Sequence, residues 1–267
     1  MGTTFRSLPR NNGSSLQILA SLGKLQEVKA RIERLGEDVN AKDSSGETAL
    51  LAAAANGDVQ MCTYLVSRGA EIMSKGVGGL TAVHLAAREG HPEIIRILKN
   101  TEGFYGPDLD MKTNDGWTAL HFAVREKRTR VINFFISECS RTEAILEIDL
   151  NSRTKDGRTA LMLAAENSYL EGANLLLDAG VDAELTCWDQ HYAALHFAAL
   201  AGATDVVKVL LDFGDMVDLP AAGGWTPLML AASRGHFGTH THTQHAHMHN
   251  IKCDGRNFVS SFFIAFA

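Results

Sequence analysis

The sequence repeats itself, and the repeat constrains the fold more than any other feature. A motif that opens with Thr-Ala-Leu, or a close variant, recurs along the chain with its first residue at Thr48, Thr81, Thr118, Thr159, Ala193 and Thr226. The successive intervals are 33, 37, 41, 34 and 33 residues. Ser14 lies 34 residues before the first of these anchors and begins a stretch that fits the same frame. A unit of this length is too small to bury a core alone, so consecutive units must stabilise one another.

Each repeat carries the pattern of two short helices joined by a turn. Residues 50–55 read Leu-Leu-Ala-Ala-Ala-Ala, a strong helix former whose small side chains let a neighbouring helix approach closely. A second apolar set follows at helical spacing, as in residues 206–211. The anchor threonine is suited to cap the first helix, and glycines such as Gly57 and Gly90 mark the turn between the helices. Polar stretches with glycine, such as residues 42–46, predict a tight connection to the next repeat.

The period, together with the motif T-x-L-H-x-A-A, resembles the ankyrin repeat. The resemblance covers residues 14–237, as six full repeats and a truncated seventh. It implies an all-α fold, an ankyrin-repeat α-solenoid of stacked helix-turn-helix units with inter-repeat β-hairpin loops. The two longest intervals predict extended loops after second helices, around residues 101–107 and 139–150, and the first of them contains the aromatic pair Phe104-Tyr105.

The repeat pattern divides the chain into three parts. Residues 1–13 precede the first repeat and are predicted to be a flexible N-terminal segment. Residues 14–237 form the repeat domain. In residues 238–267 the regular spacing is lost where the second helix of the seventh repeat should follow, and a histidine-rich tract leads to the apolar decapeptide 258–267. We expect this tail to be disordered or non-native.

Three interpretations of the tail are open. Alternating Thr and His is what a CA dinucleotide repeat encodes, so the favoured interpretation is non-coding sequence read through past a splice site. The apolar decapeptide can instead act as a substitute cap on the exposed end of the stack. Clustered imidazoles also bind zinc, copper or nickel, so weak metal-ligand candidates are His240, His242, His245, His247 and His249.

The composition excludes several classes of function. The chain has 25 Lys and Arg against 31 Asp and Glu, a formal net charge of −6, and no long basic run, so we expect no nucleic-acid binding. No apolar run is long enough for a membrane span, and the N-terminus lacks the apolar segment of a secretory signal. The four cysteines are far apart, which argues against a zinc site or a disulfide framework. We therefore expect a monomer in the cytoplasm, the nucleus or both.

No sequence motif points to catalysis. The chain contains no phosphate-binding loop, no serine-hydrolase elbow and no metalloprotease motif, so no enzyme activity and no cofactor are predicted. Histidine recurs at the fourth motif position, as His84, His121 and His196. Its recurrence indicates a structural role, and the resemblance implies a hydrogen bond to the backbone between adjacent repeats. In three other repeats the fourth motif position is not histidine, so their junctions should lack this bond; the residues there are Leu51, Met162 and Met229.

The resemblance implies a concave face that binds a partner protein, formed by the hairpin tips and the exposed positions of the first helices. The residues before the anchors are Glu47, Leu80, Trp117, Arg158, Tyr192 and Trp225. The first helices add Arg88, Arg125, Glu126 and Glu166. Three of the six hairpin residues are large aromatics, which often anchor protein interfaces. The hypothesis is a non-enzymatic scaffold or adaptor. Its alternatives are a fragment of a larger ankyrin protein (a ubiquitin-ligase substrate receptor, a kinase or a channel) and a metal-binding protein that uses the tail.

Overall fold

The structure is a computed structural model that describes residues 15–101, 109–140, 148–214 and 217–254, with side chains to residue 246. The N-terminal segment 1–13, the Phe104-Tyr105 pair and the decapeptide 258–267 lie outside the described residues. The described residues form two compact units. The first holds residues 15–101, 109–122 and 148, and the second holds residues 123–140, 149–214 and 217–254. Across the described ranges the regular structure is helical, without a β-strand.

The helices follow the repeat pattern as pairs of a first and a second helix. In the first unit they are α1 (Leu16–Ser21), α2 (Leu25–Leu35), α3 (Ala49–Asn56), α4 (Val59–Ser67), α5 (Ala82–Glu89) and α6 (Pro92–Lys99). The first helix of the next repeat is α7 (Ala119–Arg125). In the second unit the remaining helices are α8 (Thr129–Cys139), α9 (Ala160–Glu166), α10 (Leu170–Asp178), α11 (Ala194–Ala201), α12 (Thr204–Asp212), α13 (Pro227–Ser233) and α14 (Phe237–Asp254).

The anchor threonine explains where the first helices begin. Thr48 Oγ1 accepts a hydrogen bond from the backbone N–H three residues on, at 3.3 Å, and Thr159 and Thr226 do the same at 3.3 Å. A hydroxyl at this position satisfies an N–H that has no partner inside the helix. The first helices α3 and α5 end at Gly57 and Gly90, with φ of 71° and 91°. Glycine adopts this left-handed backbone without the steric cost that a Cβ would add.

Alanine allows the first helices of consecutive repeats to pack side by side. Ala53, Ala54, Ala86 and Ala87 are completely buried, and α3 packs against both α1 and α5. In the second unit α11 packs in the same way against α9 and α13. The second helices supply the larger core side chains, which include Leu65, Ile95, Leu98, Val207 and Leu210. Burial of this apolar surface between repeats is what stabilises units that cannot fold alone.

Tight hairpin turns connect the repeats, as the resemblance implied, although the described residues around them form no strands. Asp43 N–H donates to the Glu47 carbonyl at 3.0 Å, and Thr154 N–H donates to the Arg158 carbonyl at 3.0 Å. The Asp43 carboxylate also accepts hydrogen bonds from Ser45 and from the Glu47 N–H. These bonds to the charged form lower the pKa of Asp43, the bond from Ser45 contributing most.

The seventh repeat differs from the expectation. In place of a missing second helix, the structure contains α14, which packs against α12 and α13. Thr239 and Thr243 form its buried side, with Thr239 Oγ1 3.2 Å from Thr204 Oγ1 and Thr243 Oγ1 donating to the Thr239 carbonyl at 3.0 Å. Threonines four residues apart share one helix face, a spacing that the Thr-His alternation conceals in the sequence. Residues 238–254 are therefore helical rather than disordered. The interpretation of the tail as non-coding sequence read through past a splice site stays a prediction.

Candidate protein-binding surface

In the first unit, the predicted hairpin residues are engaged with their own fold. Glu47 Oε1 accepts a hydrogen bond from the Val77 N–H at 3.3 Å, so its carboxylate joins two consecutive loops. A Cβ built at Gly76 would lie 2.5 Å from the same oxygen, so the Glu47 carboxylate lies directly against the Gly76 backbone. Leu80 is half-buried. Both residues lie on the hairpin edge, and both side chains are partly accessible.

Trp117 is the aromatic residue of the hairpin edge in the first unit. Its ring is half-buried and packs against Phe122, with centroids 5.2 Å apart, and against the imidazole of His121 at 5.9 Å. These contacts fix the orientation of the indole while leaving part of it accessible. A ring held in this way loses little conformational entropy when a partner covers it.

In the second unit, the structure brings two predicted residues together. Arg158 Nη1 lies 2.6 Å from Glu166 Oε2, and Arg158 Nε lies 2.9 Å from Asp156 Oδ2. The guanidinium also lies 5.1 Å from the ring centroid of Phe197 on the following repeat. Ion pairs with this much solvent exposure add little stability, so the cluster acts mainly by holding the arginine in one place.

Two further predicted aromatics occupy the hairpin edge of the second unit. Tyr192 is half-buried and stacks on His196, with ring centroids 5.3 Å apart and an interplanar angle of 2°. Trp225 is 45% exposed. The hairpin that carries Tyr192 has His191 where glycine is typical, and His191 adopts a left-handed backbone with a φ of 52°.

Trp188 belongs to the same edge and was missed by sequence analysis. Its side chain is 54% exposed, and its backbone N–H donates to the Asp156 carbonyl at 3.1 Å. The Arg153 guanidinium lies 4.4 Å from the indole centroid. A Cβ at Gly157 would come within 2.8 Å of the indole, so the ring rests on a glycine of the preceding hairpin. The available signal was the interval of 34 residues, which gives this loop one extra residue.

The predicted residues at the ends of the first helices form short-range ion pairs. Arg88 Nε lies 2.8 Å from Glu89 Oε1 and Arg125 Nε lies 3.0 Å from Glu126 Oε1. Both pairs join adjacent residues at a helix end and are partly or fully exposed. They are placed to form a polar rim rather than a buried anchor.

His84 lies at a junction inside the first unit rather than on its surface. It is 1% exposed, and its Nδ1 accepts from the Thr81 N–H at 3.1 Å while Nε2 lies 2.8 Å from the Met111 carbonyl in the next repeat. Nδ1 also lies 2.8 Å from Thr81 Oγ1. An acceptor Nδ1 and a donor Nε2 describe a neutral imidazole. Burial is the main reason that the pKa of His84 falls to about 4.

The other motif residues vary this arrangement. His121 Nδ1 accepts from the Thr118 N–H at 3.1 Å. His196 Nδ1 accepts from the Ala193 N–H at 3.2 Å, but its buried Nε2 has no hydrogen-bond partner among the described residues. Burial lowers the pKa of His196 as well. Met162 takes the place of histidine through its sulfur, 3.4 Å from the Thr159 N–H.

The structure shows no built metal centre in the part of the chain it describes. No group of three or more His, Cys, Asp or Glu side chains is close enough to hold an ion within that part. Of the five tail candidates, His240, His242 and His245 lie on α14, and the side chains of His247 and His249 lie outside the described residues. Burial raises the pKa of Cys62 to about 12, which makes it an inert thiol.

No helix among the described residues has the length and apolar character that a bilayer crossing requires.

The sequence model described as ankyrin repeats (3 copies) matches residues 16–105, 74–143, 104–187 and 182–240. The putative palmitoyltransferase ZDHHC13 of Danio rerio is 31% identical over 212 residues, which are 78% of this chain and 31% of that protein. The B-cell lymphoma 3 protein homolog of Mus musculus is 28% identical over 225 residues, which are 84% of this chain and 46% of that protein.

Among solved structures, the crystal structure of the ankyrin repeat domain of Bcl-3, a member of the IkappaB protein family, is similar with a TM-score of 0.69. It is 27% identical in sequence, and the match covers 83% of this chain and 95% of that domain. This likeness confirms the predicted all-α fold of stacked helix-turn-helix units. The chain spans less than half the length of the curated relatives named above.

Proposed function

Because the chain belongs to the ankyrin-repeat family, we propose that it is a non-enzymatic scaffold or adaptor that binds a partner protein through its hairpin edge. Repeats of this kind generally mediate protein–protein interaction. The observation that carries the proposal is the group of aromatic rings on the hairpins of the second unit, formed by Trp188, Tyr192 and Trp225. Trp188 and Trp225 are about half exposed, and backbone hydrogen bonds hold the hairpins that carry them in place.

The chemistry of this group suits an interface anchor. Trp and Tyr supply large apolar area and one polar hydrogen-bond donor, and they are enriched among residues that contribute most to binding. The charged residues Asp156, Arg158 and Glu166 lie beside them and are already paired. A partner would therefore bury the rings at the centre and meet polar groups at the rim.

In the first unit, Trp117 supports a second contact of the same kind. Its ring packs on Phe122, with centroids 5.2 Å apart, and stays half-buried at the hairpin edge. The ion pair of Arg88 with Glu89 supplies polar groups at the end of α5. We propose that this edge adds to the affinity, with Leu80 and Glu47 completing the hairpin surface.

The length of the relatives favours a second candidate, in which the chain is part of a larger protein whose activity lies elsewhere. The matched part is 31% of the putative palmitoyltransferase and 17% of the E3 ubiquitin-protein ligase KEG of Arabidopsis thaliana. In that case the repeats would select the partner and another region would act on it. Sequencing of the full transcript tests this candidate, since an open reading frame that ends after residue 267 removes it.

We also propose a location in the cytoplasm, the nucleus or both, and a monomeric state without nucleic-acid binding. Cys62 and Cys187 are buried free thiols, which is typical of proteins in a reducing compartment. The net charge of −6 disfavours binding to nucleic acid. Fractionation of cells and light scattering of the purified chain test these points.

The partner-binding proposal is tested by capture and identification of a partner with the full chain, followed by direct affinity measurement. Replacement of Trp188, Tyr192 and Trp225 together by Ala should weaken binding of that partner at least roughly 100-fold, since each anchor typically contributes about 1–2 kcal/mol or more. The matched control is Phe213→Ala, which removes a 53% exposed aromatic ring that does not belong to the hairpin edge. Unchanged affinity in the triple variant, with intact helical circular dichroism, would contradict the proposed surface.

A further inference from the structure

The last repeat leaves one side of its first helix uncovered. Met229 on α13 is 51% exposed. The residues at the same motif position of the five preceding repeats are at most 1% exposed, namely Leu51, His84, His121, Met162 and His196. Phe237, the first residue of α14, is 82% exposed. A position that is sealed in the five preceding repeats is therefore open in the seventh.

The sealed junctions show what kind of cover is missing. His84 contacts the Met111 carbonyl of the segment that leads into the next hairpin. Leu51 is covered by the following loop so closely that a Cβ at Gly76 would lie 3.0 Å from Leu51 Cδ1. In both cases a piece of chain from the next repeat lies across the motif residue, and at His84 the ring of Phe122 on α7 adds an edge contact, with ring centroids 5.9 Å apart.

The sequence supplies a segment with the right chemistry directly after the last described helix. Residues 258–267 read FVSSFFIAFA, in which all residues but two serines are apolar. They begin four residues after Asp254, where α14 ends, and the residue that follows the helix in the sequence is Gly255, a residue type that tolerates the backbone angles of a chain reversal. An apolar surface on α13 and an apolar segment of the same chain would otherwise both be exposed to water.

The lengths are compatible with a return of the chain to Met229. α14 has 18 residues, twice the nine of α12, and an α-helix of that length extends about 27 Å. An extended decapeptide reaches up to about 33 Å, so it can run back along the whole of α14. We propose that residues 258–267 dock against the open side of the seventh repeat, at Met229 and Phe237, and cap the array.

The tether favours this occupant over the alternatives. A segment held on a short linker has an effective concentration in the millimolar range, which a second copy or a separate partner reaches only at high concentration. A second copy of this chain and a foreign protein are the competing occupants, and each gives a different result in the experiment that follows.

Photo-crosslinking of the full chain identifies the occupant. A benzophenone amino acid introduced in place of Phe262 should crosslink, on irradiation, to the peptide that contains Met229. With a mixture of isotopically labelled and unlabelled chains, the crosslinked pair should carry a single label. Pairs of mixed label would show a second copy as the occupant, and the absence of any crosslink to α13 or to Phe237 would also overturn the proposal.

A thermodynamic cycle tests the same contact independently. Met229→Asp should raise the unfolding equilibrium constant roughly tenfold in the full chain, because it places a charge beneath the cap. In a chain that ends at residue 254 the same change should have less than about a twofold effect, since Met229 is already exposed there. The control Leu170→Asp, on an exposed residue at the start of α10, should act equally in both chains. Equal effects of Met229→Asp would refute the cap, and the crosslink decides the matter if the shorter chain does not fold.

Discussion

The third and the seventh repeats place the same motif position in opposite environments. At His84 the position is sealed, with both ring nitrogens hydrogen-bonded and the next repeat across it. At Met229 the helix begins in the same way, with a threonine cap, but half of the side chain is exposed. The local sequence is thus sufficient to form the helix in both repeats. What differs is the neighbour, and most of the stability of such a unit comes from burial against that neighbour.

The largest expected effect separates these two positions by mutation. His84→Ala should lower the free energy of unfolding by about 4 kcal/mol, because it leaves a cavity and removes hydrogen bonds from the buried Thr81 N–H and the Met111 carbonyl. Met229→Ala, made in a chain that ends at residue 254 and so lacks the proposed cap, should cost about 1 kcal/mol, since a half-exposed side chain loses less burial. Urea unfolding of the two variants and their parent chains measures both values. Similar losses would mean that the open end is as well packed as the sealed junction.

The pH dependence of stability is the next largest effect and arises from the sealed position. The pKa of His84 falls from an ordinary value near 6.5 to about 4 in the folded chain. Between these two values the unfolded chain binds a proton that the folded chain does not, so the free energy of unfolding declines as the pH falls from about 6.5 to about 4, by about 3 kcal/mol. Above pH 7 this contribution is fully present. His196, whose pKa is also lowered, acts in the same direction.

Urea unfolding at pH 7.0 and pH 4.5 checks this prediction by comparison of the wild type with His84→Gln. Glutamine keeps a polar group at the junction and does not titrate. The loss of stability on acidification should therefore be smaller in His84→Gln than in the wild type, and carboxylates that titrate in this range affect both proteins alike. An identical loss would show that His84 is not the group responsible.

A smaller effect is expected where two hairpin tips touch. Gly157→Ala should lower the free energy of unfolding by about 2–3 kcal/mol, because a Cβ is strained at a φ of 84° and would approach Trp188 too closely. Gly180→Ala is the matched control, with a φ of 79° and no atom within 4 Å of the added Cβ. It should cost about 1 kcal/mol from the backbone alone. The difference, read from thermal or urea unfolding, measures the contact between the tips.

The fold was predictable because its determinants are local and repeated. The anchor threonines and alanine-rich first helices of the full repeats lie where the 33-residue period places them. The seventh repeat was not predicted, because its second helix packs through Thr239 and Thr243 instead of an apolar stripe. Hydrophobic periodicity, the main signal for an amphipathic helix, is absent from such a segment.

The candidate surface was predictable only in part, since exposure depends on contacts between repeats. Trp225 is exposed as the motif position suggests, but the Glu47 carboxylate is used by the Val77 N–H and Arg158 is held by two carboxylates. Trp188 was not predicted because it lies five residues before Ala193, whereas the resemblance assigns the binding face to the residue directly before each anchor. The neighbouring hairpin decides which polar side chains are used in contacts within the fold. An alignment of the motifs does not contain that information.

The backbone hydrogen bonds between hairpin tips have a consequence for how such a chain can vary. Asn114 N–H donates to the Gly78 carbonyl at 2.9 Å across a 37-residue interval, and Ala222 N–H donates to the Gln190 carbonyl at 2.8 Å across a 33-residue interval. One backbone bond thus joins neighbouring tips both in an interval with inserted residues and in an interval without them. An insertion between two repeats therefore need not break the bond that fixes the spacing of their hairpin tips.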